Sequence, residues 1–330
     1  MNEWTNDEWS NLQLPISNLQ LPKGVNMLAR PGLPSFDYVR AGAPGEVLRL
    51  LEQHGEAARL VMGGTDLFVR MRDGFLRPRI VVDVKHLPGM RDVAYDERAG
   101  LTVGAAVTMN GLARHPHVQA HYPLLAEAAN SVASYPLRNR ATVGGNLCNG
   151  SPAADTGPAT LVLEGRIVLY GPGGEREVKA EEFFLGPGQT ALHAGELMTA
   201  IRYPLPPAGA VSRYLKLGRN KAGDLAIVSV AVLGFPDGMA PSGYRFRIAL
   251  GSVAPVVLRA PEAETLLAER TLGEETFALA AEKAMQAARP IDDVRASAAY
   301  RRAMVRNLTL RGLRDVWEQL RNTQYATRNT

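Results

Sequence analysis

From residue 36 to residue 207 the chain alternates short apolar runs with amphipathic segments. Apolar positions between 44 and 55 recur at helical spacing, and a proline and a glycine mark the two ends of that helix. Short continuous apolar runs are typical of buried strands, which we expect at 57–62, 79–84, 101–107, 166–170 and 197–203. The pattern also predicts helices at 65–71, 108–118, 122–134 and 155–164, and a hairpin turn at 171–174.

The last third of the chain has a different order of elements. Strand-like runs at 211–217, 225–235 and 244–254 precede helices near 260–268, 274–288 and 294–320. Strands and helices segregated in this way favour an α+β fold over a βαβ array. A proline cluster at 204–207 marks a domain boundary. We therefore predict one domain over 27–207, with subdomains at about 27–90 and 91–207, and a second over 208–325.

The N-terminal residues differ from the rest. The segment Asn-Leu-Gln-Leu-Pro at 11–15 recurs at 18–22, and its prolines break any helical repeat. We expect residues 1–26 to form a poorly ordered extension. Translation from Met27 is the alternative, because globular-looking sequence begins soon after it.

A first candidate binding site follows the strand expected at 57–62. Gly63 and Gly64 come directly after the strand, and Thr65 or Asp66 can cap the helix that follows. Backbone N–H groups converge in such a turn, and glycine lets a bulky anion approach because it has no Cβ atom. Phosphate or pyrophosphate is the natural ligand, although a glycine pair after a strand is more often only a turn. The turn matches neither a Walker A loop nor a Rossmann fingerprint.

A second glycine pair repeats this design about eighty residues further on. The segment Thr-Val-Gly-Gly-Asn at 142–146 adds a threonine hydroxyl and an asparagine amide beside the exposed backbone. Asp155 follows, where a carboxylate suits a ribose hydroxyl or caps the next helix. Two such turns in one region suggest a long diphosphate ligand that is held from both sides.

The amino-acid composition excludes several kinds of metal centre and binding partner. Cys148 is the only cysteine, which excludes an internal disulfide and any iron–sulfur or zinc centre that this chain's cysteines alone would hold. That usage fits a reducing compartment, and we expect a cytoplasmic protein. The net charge of +4 is spread along the chain, and an arginine-rich stretch at 295–314 is typical of a solvated helix face, with an acidic partner as the alternative. No nucleic-acid-binding motif and no membrane-length apolar run is present.

These motifs, in this order, resemble the FAD-binding medium subunit of molybdenum hydroxylases, the group with xanthine dehydrogenase, carbon monoxide dehydrogenase and 4-hydroxybenzoyl-CoA reductase. The resemblance runs from about residue 36 to about residue 320. It is carried by Gly-Gly-Thr-Asp-Leu at 63–67, Ala-Thr-Val-Gly-Gly-Asn at 141–146, Ser-Pro-Ala-Ala-Asp at 151–155, Lys-Leu-Gly-Arg at 216–219 and Asp-Leu-Ala-Ile-Val at 224–228. It implies a two-subdomain PCMH-type FAD-binding domain followed by a carbon monoxide dehydrogenase flavoprotein-type C-terminal α+β domain.

The resemblance also implies which residues bind FAD. Two loops would hold the cofactor, Asp155 would meet its ribose or adenine side, Leu192 would pack on it, and Lys216 would lie near the flavin. The loops consist of Leu60, Val61, Met62, Gly63, Gly64, Thr65, Asp66 and Leu67, and of Thr142, Val143, Gly144, Gly145 and Asn146. An aspartate in place of Gly144 is then expected to expel FAD while the fold survives.

Several positions depart from the family or compete with this interpretation. An aromatic residue that stacks on the flavin in some members has no clear counterpart, because Val132 and Ala133 stand in that region and Tyr135 is only a weak substitute. The cysteine-rich insertion that holds an extra cluster in 4-hydroxybenzoyl-CoA reductase is missing. Cys148 reads as a small buried thiol rather than a nucleophile or flavin link. A histidine cluster at 115–121 favours a solvated loop over a metal site.

The function implied by the resemblance is electron transfer. Substrate would be oxidised at a molybdopterin-type molybdenum cofactor on a large partner chain, and two [2Fe–2S] clusters on a small partner chain would lead to FAD on this one. NAD or another acceptor would then be reduced, and no residue of this chain would be catalytic or bind a metal. Two alternatives stay open: a self-contained flavin reductase or oxidase of the UDP-N-acetylenolpyruvoylglucosamine reductase type, and a binding module whose glycine turns are only turns.

Overall fold

The computed structural model describes residues 32–220 and 223–328, with side chains described as far as residue 322. The extension predicted at 1–26, with Met27, lies outside these residues. The helices are α1 Pro44–His54, α2 Leu67–Arg72, α3 Met109–Arg114, α4 Pro116–His121, α5 Pro123–Ser131, α6 Tyr135–Arg138, α7 Val143–Cys148, α8 Thr156–Val162, α9 Ala180–Phe183, α10 Pro261–Glu269, α11 Glu274–Ala287 and α12 Ala298–Arg328. The strands are β1 Asp37–Arg40, β2 Ala58–Val61, β3 Ile80–Asp83, β4 Val93–Asp96, β5 Gly100–Gly104, β6 Arg166–Gly171, β7 Gly174–Lys179, β8 Phe184–Gly186, β9 Gln189–Thr190, β10 Leu197–Tyr203, β11 Val211–Leu217, β12 Val228–Pro236, β13 Tyr244–Gly251 and β14 Leu258–Arg259.

The first part of the chain forms a small parallel sheet in the order β1-β3-β2. Strand β3 lies in the middle and is buried along its whole length, as its apolar sequence predicts. Helix α1 packs against the sheet through Val47, and α2 follows the end of β2. Strand β1, which the apolar pattern does not predict, is largely exposed at the edge of the sheet, and its two central residues stand between two charged ones.

A larger antiparallel sheet follows, in the order β4-β5-β10-β6-β7. Strand β10 lies in its centre and pairs with β5 on one side and β6 on the other. The segments that contain α3 to α8 lie in the chain between β5 and β6, and α5 and α8 among them pack against the C-terminal strands β11, β12 and β13. The hairpin expected at 171–174 joins β6 to β7, with Gly171 opposite Gly174.

The C-terminal sheet has the order β11-β12-β13-β14 and packs between two hydrophobic cores. Along β12, Val230 and Val232 join the core formed with α10, α11 and α12, whereas Ala231 and Leu233 join the core of the preceding domain. Side chains of successive strand residues point to opposite faces, so both faces must be apolar. The continuous apolar run in the sequence of β12 is therefore explained by burial of both faces of the strand. The order of strands followed by helices confirms the α+β prediction.

The long helix α12 lies across β11 and β12 and extends to Arg328. Within the residues that the structure describes, no helix combines the length and apolar character needed to cross a membrane. The helix approaches the sheet closely at Gly312, where a Cβ atom would stand 2.9 Å from Cγ2 of Val232.

We expect Gly312→Leu to lower the free energy of unfolding by about 1–3 kcal/mol, because the larger side chain overpacks this contact. Gly238→Ala is the matched control, since no atom lies within 4 Å of the Cβ position there. Thermal unfolding of the two variants measures the difference. Equal melting temperatures would show that α12 does not approach the sheet as described.

Candidate cofactor-binding cleft

A cleft of about 760 Å³ lies where the two sheets of the first domain and the C-terminal domain meet. The end of β2 and the turn after it form one wall, and the turn into α7 forms another. The start of β10 and Leu192 add further lining, and Leu225, from the C-terminal part, closes the rim. Segments that are far apart in the sequence therefore line the same cleft.

The first glycine pair makes a turn that only glycine adopts comfortably. Gly64 has φ +74°, and a Cβ atom there would stand 2.6 Å from the ring of Phe68. A Cβ atom on Gly63 would stand 2.2 Å from the carbonyl oxygen of Arg140. The missing side chain of Gly63 thus lets the first loop touch the segment that leads into the second loop.

The turn after β2 offers unpaired backbone donors. Among the hydrogen bonds of the described residues, none is donated by the N–H groups of Gly63, Gly64, Thr65 or Asp66. All four residues line the cleft. Consecutive free N–H groups form an environment that suits an anionic oxygen, so this wall fits the phosphate site that the sequence predicts.

The second glycine pair has a different role from the one expected of it. It lies in the first turn of α7, and its N–H groups are already bonded within the protein: Gly144 donates to Ala105 and Gly145 to the hydroxyl of Thr142, while the preceding Val143 donates to Val107. A Cβ atom on Gly144 would stand 2.6 Å from Cβ and 2.7 Å from the carbonyl oxygen of Ala105. Gly144 therefore allows α7 to pack on the chain after β5.

This packing bears on two expectations about the second loop. Val143 and Gly144 are buried away from the cleft, whereas Thr142, Gly145 and Asn146 line it. The hydroxyl of Thr142 accepts a hydrogen bond as the N-cap of α7 and does not donate within the loop. An aspartate at Gly144 would have to displace the backbone at Ala105, so we expect it to disrupt the fold and not only the binding site.

Asn146 supplies the polar donor of this wall. Its Oδ1 atom accepts from the hydroxyl of Thr156 at 2.7 Å and from the backbone N–H of Thr156 at 3.4 Å. These bonds fix the side-chain orientation, since the amide oxygen is committed to α8. The Nδ2 group has no acceptor within the described residues and is free for a ligand. An amide donor at this position is what the sequence predicts.

Asp155 and Lys216 form a buried ion pair between the two domains. The Lys216 ammonium donates to Asp155 at 2.8 Å and to the carbonyl of Ser131 at 2.8 Å, and the Tyr214 hydroxyl donates to the same carboxylate at 3.0 Å. Burial raises the pKa of Asp155, while Lys216 and Tyr214 oppose that rise. Asp155 reaches the cleft lining, and Lys216 stands behind it.

Two further carboxylates border the cleft, and their pKa values are shifted in opposite directions. Burial raises the pKa of Asp66, and the nearby charge of Arg70 opposes it. The Arg176 guanidinium, which binds Glu196 at 2.7 Å through two nitrogens, holds the pKa of Glu196 below its usual range against the effect of burial. Glu196 is therefore committed to Arg176, whereas Asp66 remains close to the free N–H groups.

Most of the residues predicted to bind the cofactor meet at this cleft. Its lining includes Leu60, Val61, Met62, Gly63, Gly64, Thr65, Asp66, Leu67, Thr142, Gly145, Asn146, Asp155 and Leu192. Val132, Ala133, Leu137 and Leu225 form an apolar part of the wall. No periodicity in the sequence marks these four residues as ligand contacts. Tyr135 is exposed and not part of the lining.

Two alternatives to a cofactor site were a reactive thiol at Cys148 and a metal site at the histidine cluster, and the described part of the chain shows features of neither. Burial raises the pKa of the Cys148 thiol to about 12, and its Sγ atom lies 3.9 Å from Sδ of Met198. His117 and His121 stack on the ring of Tyr95, with ring centroids 4.9 and 4.4 Å apart. No group of three or more potential metal ligands occurs among the described residues.

The residues present fit an extended dinucleotide such as FAD. Cofactor clefts of about 300–1,000 Å³ are typical, and the observed 760 Å³ falls within that range. Free N–H groups at one wall suit a pyrophosphate, and the apolar wall suits an aromatic ring. The geometry thus defines a class: a cofactor-binding protein whose cleft lies between two subdomains, with an α+β domain behind them.

Comparison with known proteins assigns the family. Residues 34–206 match the family described as FAD binding domain in molybdopterin dehydrogenase, and residues 213–316 match the CO dehydrogenase flavoprotein C-terminal domain. The carbon monoxide dehydrogenase medium chain of Hydrogenophaga pseudoflava is 36% identical over 284 residues, which cover 86% of this chain and 98% of that relative. The xanthine dehydrogenase FAD-binding subunit of Escherichia coli O157:H7 is 31% identical over 273 residues, 82% of this chain and 92% of that one.

Solved structures agree with this assignment. A carbon monoxide dehydrogenase chain from Hydrogenophaga pseudoflava superposes with a TM-score of 0.82 at 36% identity, covering 87% of this chain and 98% of the other. A chain of quinoline 2-oxidoreductase from Pseudomonas putida 86 superposes with a TM-score of 0.81 at 27% identity, covering 87% of this chain and 99% of the other. The chain belongs to the FAD-binding medium subunits of molybdenum hydroxylases, and the predicted resemblance and fold class are confirmed.

Asp155→Asn is expected to lower the free energy of unfolding by about 3 kcal/mol, because it leaves the ammonium of Lys216 buried without its anionic partner. Glu274→Gln, which removes one partner of the exposed pair with Arg314, is the control and should cost less than about 1 kcal/mol. Denaturant titration of both variants makes the comparison. Similar losses would show that the buried pair does not hold the domains together.

Cys148→Ser is expected to retain the FAD content of the wild-type protein, because burial keeps the thiol protonated and so makes a covalent link to the flavin unfavourable. The raised pKa, about 12, leaves almost no thiolate at neutral pH, so alkylation of the folded wild type should be slow and become fast only after unfolding. Flavin absorbance per polypeptide and the rate of iodoacetamide labelling check both statements. Loss of flavin in Cys148→Ser would contradict them.

Proposed function

We propose that this chain is the electron-transfer subunit of a molybdenum-containing hydroxylase or dehydrogenase complex. It would receive electrons from [2Fe–2S] clusters of a small partner chain and deliver them to NAD or another acceptor. Substrate oxidation would take place on a large partner chain that carries the molybdenum cofactor. Support comes from the relatives, which are medium chains of carbon monoxide dehydrogenases and FAD-binding subunits of xanthine dehydrogenases.

The observation that carries the proposal is the pair of unlike walls in the cleft. One wall presents the free N–H groups of residues 63–66, and the other presents the side-chain amide of Asn146. Bound FAD supplies a redox centre that exchanges electrons with both one-electron and two-electron partners. This chain's own contribution is to bind and orient that cofactor and to exclude water from it.

The predicted FAD contacts can now be assigned to parts of the cleft. We propose that the turn from Leu60 to Leu67 binds the pyrophosphate, because its free N–H groups meet the charge of phosphate oxygens. Thr142, Gly145 and Asn146 would approach from the opposite wall, while Val143 and Gly144 support them from within α7. Leu192 would pack against the cofactor.

Asp155 and Lys216 would act together at the back of the cleft. Asp155 lines the cleft, and a carboxylate there suits the ribose or adenine side of FAD. Lys216 binds the carbonyl of Ser131, directly before the apolar wall at Val132, so its positive charge lies close to that wall. A cation near the ring system would favour the anionic reduced flavin, as the resemblance implies.

The cytoplasm remains the proposed compartment, because the single cysteine fits a reducing environment. The identity of the acceptor is part of the same proposal. Stopped-flow mixing of the reduced protein with NAD, compared with a quinone or an artificial dye, distinguishes the acceptors. Oxidation of NADPH by the chain without its partners would instead favour the self-contained flavin reductase.

Thr65→Asp is expected to weaken FAD binding by about tenfold or more, because it places a negative charge beside the N–H groups that would meet phosphate oxygens. Thr65→Asn is the matched control: it has nearly the same shape as aspartate without the charge, and should keep most of the affinity. Flavin content of the purified full-length protein and titration of the apoprotein with FAD measure the difference.

Two results would contradict the proposed function. The first is a wild-type protein, purified with its partner chains, that contains no flavin. The second is equal FAD affinity of the aspartate and asparagine variants at Thr65, because the phosphates would then not lie at this turn. A melting temperature for each variant confirms that both fold.

A further inference from the structure

The apolar wall of the cleft contains a backbone segment in an unusual conformation. Ala133 has φ +40°, which an alanine adopts only when its surroundings enforce it. Val132 and Ala133 both line the cleft, and the segment lies between α5 and α6. A strained residue that lines a ligand site points to a local interaction that holds it there.

Arg138 supplies that interaction. Its Nη1 atom donates to the carbonyl of Val132 at 2.9 Å and to the carbonyl of Ala133 at 3.0 Å. Its Nε atom donates to Oδ1 of Asn110 at 3.2 Å, and Asn110 is buried and donates in turn to the carbonyl of Tyr135 at 3.0 Å. The guanidinium therefore holds two neighbouring carbonyls through Nη1, while its Nε donor anchors it to the buried Asn110.

The direction of one N–H group follows from this arrangement. In a trans peptide the carbonyl and the N–H group point to opposite sides, and the described residues contain no cis peptide. The carbonyl of Val132 points to Arg138, so the N–H group of Ala133 points away from Arg138. Arg138 is outside the cleft lining, whereas Val132 and Ala133 belong to it. No described residue accepts a hydrogen bond from this N–H group.

We propose that the N–H group of Ala133 donates a hydrogen bond to the isoalloxazine ring of FAD, and that Arg138 is the residue that positions it. The inference rests on the proposed function, because it requires FAD in this cleft. The ring, and not the phosphates, is the expected acceptor because Val132, Ala133, Leu137 and Leu225 make this part of the wall apolar. An oxidised isoalloxazine has carbonyl and ring-nitrogen acceptors, and a donor facing them stabilises the more electron-rich reduced ring.

A second contact ties the same segment to the C-terminal domain. The carbonyl of Ala133 also accepts a hydrogen bond from the N–H group of Gly223 at 3.3 Å. Both carbonyls of the segment therefore accept hydrogen bonds within the protein, from Arg138 and from Gly223. Since a carbonyl turned into the cleft would repel the acceptor atoms of the flavin, Arg138 both presents the donor and removes this repulsion.

The test compares Arg138→Gln with Arg114→Gln in the full-length protein. Arg114 is the matched control because its guanidinium, like that of Arg138, lies over the ring of Tyr135, at 5.1 Å against 5.9 Å, yet it binds neither carbonyl. We expect Arg138→Gln to raise the FAD dissociation constant by about three- to tenfold, the usual effect of one hydrogen bond. The midpoint potential of its bound flavin should become more negative. Arg114→Gln should change neither.

A second pair of variants distinguishes a positioning role of Arg138 from a general loss of folding in Arg138→Gln. Ala133→Gly, combined with Arg138→Gln, should recover part of the FAD affinity, because glycine adopts a positive φ without the help of the guanidinium. Arg138→Lys, which keeps the charge but loses the Nε donor that anchors the side chain on Asn110, should resemble Arg138→Gln in its potential. Absence of any recovery, at a melting temperature that shows a folded protein, would overturn the positioning role.

The outcomes separate this inference from the proposed function. Wild type without flavin would contradict the proposed function itself. Wild type with flavin and Arg138→Gln with unchanged affinity and potential would overturn only the role of Arg138. Weaker binding at an unchanged potential would also overturn it, because the donor would then not meet the ring.

Discussion

The carboxylate of Asp155 accepts hydrogen bonds from Tyr214 and Lys216, and this buried contact fixes the C-terminal domain against the cleft. Asp155 directly precedes α8, whereas the two donors lie on β11. The surrounding interface is apolar, since Ala231 and Leu233 of β12 pack into the core of the first domain. The polar contact fixes the orientation of the two domains within it, because hydrogen bonds are directional and apolar contacts are not. The position of Leu225 at the rim of the cleft depends on this arrangement.

Close backbone contacts set the shape of the cleft, and glycines make them possible. Gly63 lets the first loop approach the carbonyl of Arg140, and Gly144 lets α7 approach Ala105. A Cβ atom on Gly63 would push the first loop away from the segment that leads into the second, and one on Gly144 would displace α7 from Ala105. The distance between the walls is therefore set by contacts within the protein, and the cofactor meets loops that are already in place, which reduces the ordering that binding requires.

The two parts of the cleft wall differ in chemistry, which suits a long cofactor with a phosphate region and an aromatic ring. Free N–H groups stand at residues 63–66, while apolar side chains and a single strained residue, Ala133, stand at the other part of the wall. Neither part presents a nucleophile with a lowered pKa, and the thiol of Cys148 is held neutral by burial. The chain is built to orient a redox cofactor.

The sequence by itself determined the order of most elements, the α+β class and the family, because apolar periodicity and short motifs are local properties. It also placed Gly63, Gly64, Asn146 and Asp155 at one site. Only the tertiary structure decided that the two glycine pairs differ: the N–H groups of the first are free, whereas those of the second donate to Ala105 and Thr142. The reason is that hydrogen-bond partners from distant segments, like the positive φ of Ala133 that Arg138 supports, exist only once the chain is folded.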